Sequence, residues 1–170
     1  MPVLDILTYP DEVLKQVSEP VTVFDDELRQ FIADLDETRL LAPGCVGIAA
    51  PQVGRFQRIV IVDLSKNRKP VENHGHMVLV NPEITLWDGM EIGREGCLSV
   101  PDFTGNVIRA QKISLKALNG KGEELAFDFS GFEARAVQHE LDHLDGLLFL
   151  DRLVSRHNDL FKRKSYKKNK

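Results

Sequence analysis

His139 and His143 stand four residues apart, with Glu140 directly after the first, in a stretch (138–146) that reads QHELDHLDG. On a helix, four residues at about 1.5 Å rise set two imidazoles roughly 6 Å apart along one face, so both rings can converge on one metal ion. A carboxylate beside such an ion is placed to move a proton. Two histidines, a glutamate at the right offset and an apolar back face together favour a metal site over a pair of hydrogen-bonded core histidines. What the pair lacks is a third ligand.

The flanking residues define the element that must hold this pair. Val137, Leu141, Leu144 and Leu148 recur at helical spacing opposite the histidines, while Phe132, Ala136, His139 and His143 share the other face. Ser130 and Glu133 form a capping-box pattern and Gly146 suits a left-handed cap, which predicts a helix over roughly 131–145. Asp25 and Asp26 open an earlier helix with the stripe Leu28, Phe31, Ile32 and Leu35, closed by Pro43-Gly44, and a short helix through Leu14 starts near Pro10. RIVIVD (58–63), MVLVNP (77–82), ITLWDGM (84–90) and the run into EGCLSVP (95–101) read as strands. So does the alternating segment from Val107 to Leu118, which a hairpin at Asn119-Gly120 returns through ELAFDFS. His74-Gly75-His76 falls in a polar segment that reads as a solvated loop. Many short, locally joined strands with few helices predict an α+β fold, with antiparallel sheets packed around a central metal-binding helix that carries the H-E-x-x-H residues.

A chain of 170 residues with 42% hydrophobic and 28% charged residues can bury its own core as one domain. Its apolar runs are too short to span a bilayer, and its start lacks the basic and apolar pattern of a signal peptide. Only Cys45 and Cys97 are present, without a disulfide framework, which points to a reducing, cytoplasmic setting. The net charge is −4, yet Lys162, Arg163, Lys164, Lys167, Lys168 and Lys170 close the chain with no acid among them. The expected organisation is a single catalytic domain over 1–160 and a basic tail over 161–170, with no membrane or DNA partner.

Three sources of a third ligand separate three chemistries. A metzincin peptidase needs histidine three residues after Gly146, where Phe149 stands, and a thermolysin-like zincin needs a later glutamate, of which there is none after Glu140. Cys97 is the best remaining candidate: sulfur binds such ions strongly, and Gly96 beside it permits close approach. A non-catalytic Cys2His2 zinc-stabilised module built from Cys45, Cys97, His139 and His143 is the competing reading. It leaves Glu140 and Gln52 without a purpose, in a chain long enough to need no metal staple.

Three segments together resemble the peptide deformylase family: CVGIAAPQ (45–52), EGCLSVP (95–101) and QHELDHLDG (138–146). Cys45 departs from the pattern, standing where the family usually has the first glycine of the first segment. The resemblance implies that Cys97, His139 and His143 hold one divalent metal ion, natively Fe2+, with Zn2+ or Ni2+ able to take the same place. It implies that Glu140 acts as general base and acid, and that Gln52 and the Leu98 backbone N–H stabilise the oxyanion. The implied reaction removes formyl from N-terminal formyl-methionine, so N-formylmethionyl nascent peptides are the expected partners. Val46, Gly47, Phe132, Arg135 and Ala136 are expected around the methionine, and the tail could contact the ribosome. Glu95 could pair with Arg109 to brace the Cys97 loop and Asp142 could orient a ligand, or each could be solvated. Cys45 is expected near the metal without binding it, where it would add sensitivity to oxidation.

Overall fold

A computed structural model describes residues 3–42, 44–67 and 71–163. The layering follows from the uninterrupted apolar run at its centre. Strand β2 (Ile59–Val62) is buried at every position, because the sheet that contains it is covered on both faces. That antiparallel sheet has the order β1-β2-β3-β6-β7, from β1 (Gly47–Ala49), β3 (Met77–Asp88), β6 (Lys112–Leu118) and β7 (Glu124–Ser130). Alternate residues Ile48, Ile59, Ile61 and Val80 face Leu28, Ile32 and Leu35 of α1 (Asp26–Leu40). Their neighbours Ala49, Val60, Val62 and Leu79 face Val137, Leu141 and Leu144 of α2 (Gly131–Leu144). Burial of each large side chain contributes about 1.5–3 kcal/mol.

A second antiparallel sheet, β4-β5-β8, comprises β4 (Glu91–Cys97), β5 (Val100–Arg109) and β8 (Leu160–Lys162). Cys97, Val100 and Val107 pack there against Leu148 and Phe149. Helix α2 therefore lies between two sheets, and every residue from Glu133 to Leu144 is buried. Its polar side chains are paired rather than solvated: Gln138 exchanges hydrogen bonds with both backbone groups of Ala110 at 3.0 and 2.9 Å, pinning the link between the sheets to the helix.

The architecture is the expected α+β, with several local differences. MVLVNP and ITLWDGM form one strand, because Asn81 takes φ 51° and the β3 register shifts between Val80 and Glu83, so Pro82 sits at a bulge where no ladder donor is required. The alternating 107–118 segment is divided at Ala110-Gln111 between two sheets. Ser130 is the N-cap of α2 without a side-chain bond. Glu133 instead accepts from the His74 N–H and lies 2.7 Å from its Nδ1, so the His74 loop is anchored there rather than solvated. Leu148 lies beyond α2 and belongs to the cluster under the second sheet, not to the helix's back face. The pairing of Phe103 with Lys162 carries the folded part past residue 160, the boundary expected from sequence; residues 164–170 of the tail lie outside the described residues. No described helix is long and apolar enough to cross a membrane.

Candidate active site

The three expected donors meet between α2 and the end of β4. The ligand atoms of Cys97, His139 and His143 all lie within 4.8 Å of one another, and all three residues are buried. The Cys97 Sγ is 3.4 Å from His143 Nε2, and the two rings meet edge-on with centroids 5.2 Å apart. Cys97 ends β4 and pairs with Val100, leaving Leu98 and Ser99 as a tight turn whose Ser99 N–H points back at the sulfur, 3.4 Å away. Cys45 is not part of the donor group; its sulfur donates to the Gly47 carbonyl at 3.1 Å. Burial, reinforced by the Glu140 charge, pushes that thiol up to about 12. The closed Cys2His2 module is therefore not built, because the close group contains Cys97, His139 and His143 and not Cys45.

Glu95 is the residue that orients His139. Its Oε1 sits 2.8 Å from His139 Nδ1, which turns Nε2 toward the other donors, as a ligating histidine requires. The same carboxylate accepts two bonds from Arg109, both 2.9 Å, and one from Arg135 at 2.8 Å. Burial alone would raise its pKa, but the hydrogen bonds from Arg109 and His139 outweigh that and hold it far below the ordinary carboxylate range. Asp142 touches no donor; it receives Arg109 at 2.5 Å and Arg152 at 2.9 Å, bracing the brace. Arg135 also donates to the Val107 and Glu91 carbonyls at 3.0 and 2.6 Å. Its guanidinium therefore ties α2 to β4 and β5 of the second sheet, and the residue also lines the cavity where a methionine contact was expected.

Glu140 is 5% exposed, with Oε1 buried and lacking any hydrogen-bond partner. Burial is the main cause that raises its pKa to about 7, with His139 opposing. Gly47 explains how it fits, since a β-carbon there would lie 2.7 Å from Glu140 Oε2. Gln52 is fixed by the Ala49 N–H, which donates to its Oε1 at 2.9 Å, so its amide nitrogen faces Ser99 Oγ at 3.1 Å and Cys97 Sγ at 3.7 Å. Val46, Gly47, Gln52, Leu98, Phe132 and Ala136 share one cavity of about 470 Å³ with Cys97, His139 and Glu140. A second cavity, of about 550 Å³ beside Trp87 and Met90, contains none of the three donors. The sequence did not single out Ser99 or Arg94, and it assigned Arg163 to the basic tail, whereas Arg94 and Arg163 both line this cavity. An arginine two positions from a glycine-cysteine pair was the one available signal.

The donor set fits a metal ion. Burial alone would lower His139, but the hydrogen bonds its ring makes to Cys97 and Glu95 raise it well above the usual imidazole range, while burial and the His139 charge push His143 well below it. Three mutually close Cys and His ligand atoms, beside a buried carboxylate oxygen with no partner, are the arrangement a divalent cation satisfies.

Fold and site together define a class: an α+β enzyme built around a buried Cys/His/His group that could hold a metal ion. A family model described as polypeptide deformylase matches residues 3–159. A peptide deformylase of Halothermothrix orenii is 47% identical over 154 residues, 91% of this chain and 96% of that protein. The crystal structure of a peptide deformylase from Legionella pneumophila matches with a TM-score of 0.83 at 39% identity, over 92% of this chain and 90% of that one. A class I type b peptide deformylase from Acinetobacter baumannii, crystallised with Met-Ala-Ser bound, gives 0.83 at 39% identity over 89% of this chain and 100% of its own. The chain belongs to the peptide deformylase family, whose members are metal-dependent enzymes.

Proposed function

We infer that this protein removes the formyl group from the N-terminal formyl-methionine of nascent polypeptides, releasing formate and a free amine, in the cytoplasm. The observation that carries the inference is the convergence of Cys97, His139 and His143 beside Glu140, whose carboxylate oxygen is buried and free of partners.

Cys97, His139 and His143 would hold one divalent ion, with Fe2+ the native choice and Zn2+ or Ni2+ able to replace it. When bound, such an ion polarises the formyl oxygen and acidifies water. Glu140, raised to about 7 by burial, is matched to neutral pH: it takes the proton from the attacking water and returns it to the departing nitrogen. The Gln52 amide and the Leu98 N–H donate to the oxygen that becomes negative as the tetrahedral centre forms; losing one such donor costs about 10²–10³ in rate. Val46, Gly47, Phe132 and Ala136 surround the methionine side chain, with the Arg135 stem as a wall. Gly47 and Gln52, which line the cavity, would leave room for a formyl hydrogen and little for a methyl. The basic tail would keep the enzyme near the ribosome, where its cations can track RNA phosphates.

The test is anaerobic purification with metal analysis, followed by formate assay on formyl-Met-Ala-Ser and hydrolysis assay on acetyl-Met-Ala-Ser. One metal per chain, formate release and poor use of the acetyl peptide are expected. A metal-loaded protein that releases no formate would overturn the reading.

A further inference from the structure

We propose that Arg94 and Arg163 form a carboxylate-binding subsite at the mouth of the Cys97 cavity, which selects formyl-methionine peptides bearing an acidic side chain within the few residues after methionine. The proposal rests on the deformylase reading for its substrate and adds the side-chain class that the enzyme favours.

Both guanidinium groups line the cavity that contains Cys97, His139 and Glu140. Arg163 lies directly over Gly96, the neighbour of Cys97, close enough that a β-carbon at 96 would sit 2.6 Å from its Nη2. Among the described residues its guanidinium makes one hydrogen bond, 3.5 Å to the Phe103 carbonyl, and the residue is exposed. Arg94 rests on the Phe161 ring, 3.9 Å from the centroid, and donates to Asn106 Oδ1 at 3.1 Å and Thr104 Oγ1 at 3.4 Å. Every one of these acceptors is neutral, and among the described residues neither guanidinium enters an ion pair. The other charges at the cavity are already committed, since Glu95 is paired with Arg109 and Arg135 and Glu140 belongs to the catalytic floor. The mouth is therefore positive in a chain of net charge −4.

An extended peptide leaving the Cys97 end of the cavity advances about 3.3 Å per residue, so the first two or three residues after methionine pass within reach of both forks. Arginine's planar donors match a carboxylate in two-point geometry, where a solvated lysine would offer a point charge. Two cations a few ångströms from one carboxylate in mostly aqueous surroundings favour it by about tenfold over a neutral isostere.

The test uses metal-loaded enzyme and C-terminally amidated formyl-Met tetrapeptides with Glu, Gln or Lys at the second, third or fourth position, so that no terminal carboxylate can substitute for the side chain. At low salt, kcat/KM for the best Glu peptide is expected to exceed its Gln partner by about tenfold and its Lys partner by more. The preference should reside in KM, shrink severalfold in 0.3 M salt, and vanish in the Arg94→Gln/Arg163→Gln double variant. Arg163→Lys should keep part of it. Equal kcat/KM for Glu and Gln peptides, or a double variant that slows all peptides alike, would overturn the proposal, the second result marking the arginines as structural. A double variant that loses only salt-sensitive binding of single-stranded RNA, with peptide preference intact, would also overturn it. Affinities of the deformylated Met-Ala-Glu and Met-Ala-Gln amides, measured by calorimetry, read the subsite without turnover. Failure of every formyl peptide to release formate would thus indict the deformylase reading alone.

Discussion

Replacing Gly47 by alanine tests whether Glu140 must sit where it does. The added β-carbon would lie 2.7 Å from Glu140 Oε2, 2.9 Å from Cγ and 3.0 Å from Cδ, against the 3.4 Å at which ordinary contact begins. The difference, 3.4 − 2.7, requires the carboxylate to retreat by about 0.7 Å, and at 5% exposure it has no open solvent to swing into. Gly47 does not have a positive φ, so alanine itself fits the backbone. Overpacking of this kind costs about 1–3 kcal/mol of stability. A displacement near 1 Å in a reacting group costs on the order of 10²-fold in rate, so kcat should fall roughly 10- to 100-fold. Metal content should be unchanged, because the three atoms nearest the methyl all belong to Glu140. Steady-state formate release, metal analysis and a thermal melt on the same preparation decide the matter. A kcat within twofold of wild type at normal metal content would refute the placement of Glu140, and a change confined to KM would mean that the methyl blocks substrate instead.

Glu95→Gln removes the anion shared by Arg109, Arg135 and His139, and should cost about 3–5 kcal/mol of stability and about 10- to 100-fold in metal affinity, read by denaturation and by competition with a chelator. Because the folded pKa of Glu95 lies below its ordinary 4.5, its contribution is full above that pH and is lost as pH falls, so the variant should show a flatter acid limb in stability against pH. Gln52→Leu should lower kcat with little change in KM, and should also lower the melting temperature, since Ser99 Oγ and the Ala49 N–H lose their buried partner. The Cys45 thiol, pushed up to about 12, remains protonated at pH 8: native protein should resist iodoacetamide at that position, and Cys45→Gly should keep its full metal content.

The chemistry was legible in the sequence wherever function demands a fixed local spacing. The four-residue interval of His139 and His143 needs only a helix to become a site, and Gly96-Cys97 needs only a strand end. Signals that depend on tertiary partners were not legible. Ser130 and Glu133 carry the capping pattern, but His74 arrives from a distant loop and takes the carboxylate. The 107–118 segment alternates throughout because both sheets bury one face, and nothing local says that Gln138 will hold Ala110 at the crossing. Asn81-Pro82 looked like a break, whereas a bulge absorbs both residues within one strand. Arg135 was expected only around the methionine, and although it lines that cavity, nothing local showed where its guanidinium would go. It is buried here since Glu95 and two carbonyls satisfy it, and Gly93 leaves the space: a β-carbon there would lie 2.8 Å from the guanidinium.

The central claim is that binding of the ion and proton transfer are divided between different side chains. Its most direct test measures metal stoichiometry and formate release together on anaerobically prepared wild type, Glu140→Ala and His143→Ala, each with formyl-Met-Ala-Ser. The account predicts near-full metal with activity down by about 10²–10⁴ for Glu140→Ala, and loss of both metal and activity for His143→Ala. Metal lost from Glu140→Ala as completely as from His143→Ala, or formate released by Glu140→Ala at the wild-type rate, would contradict it.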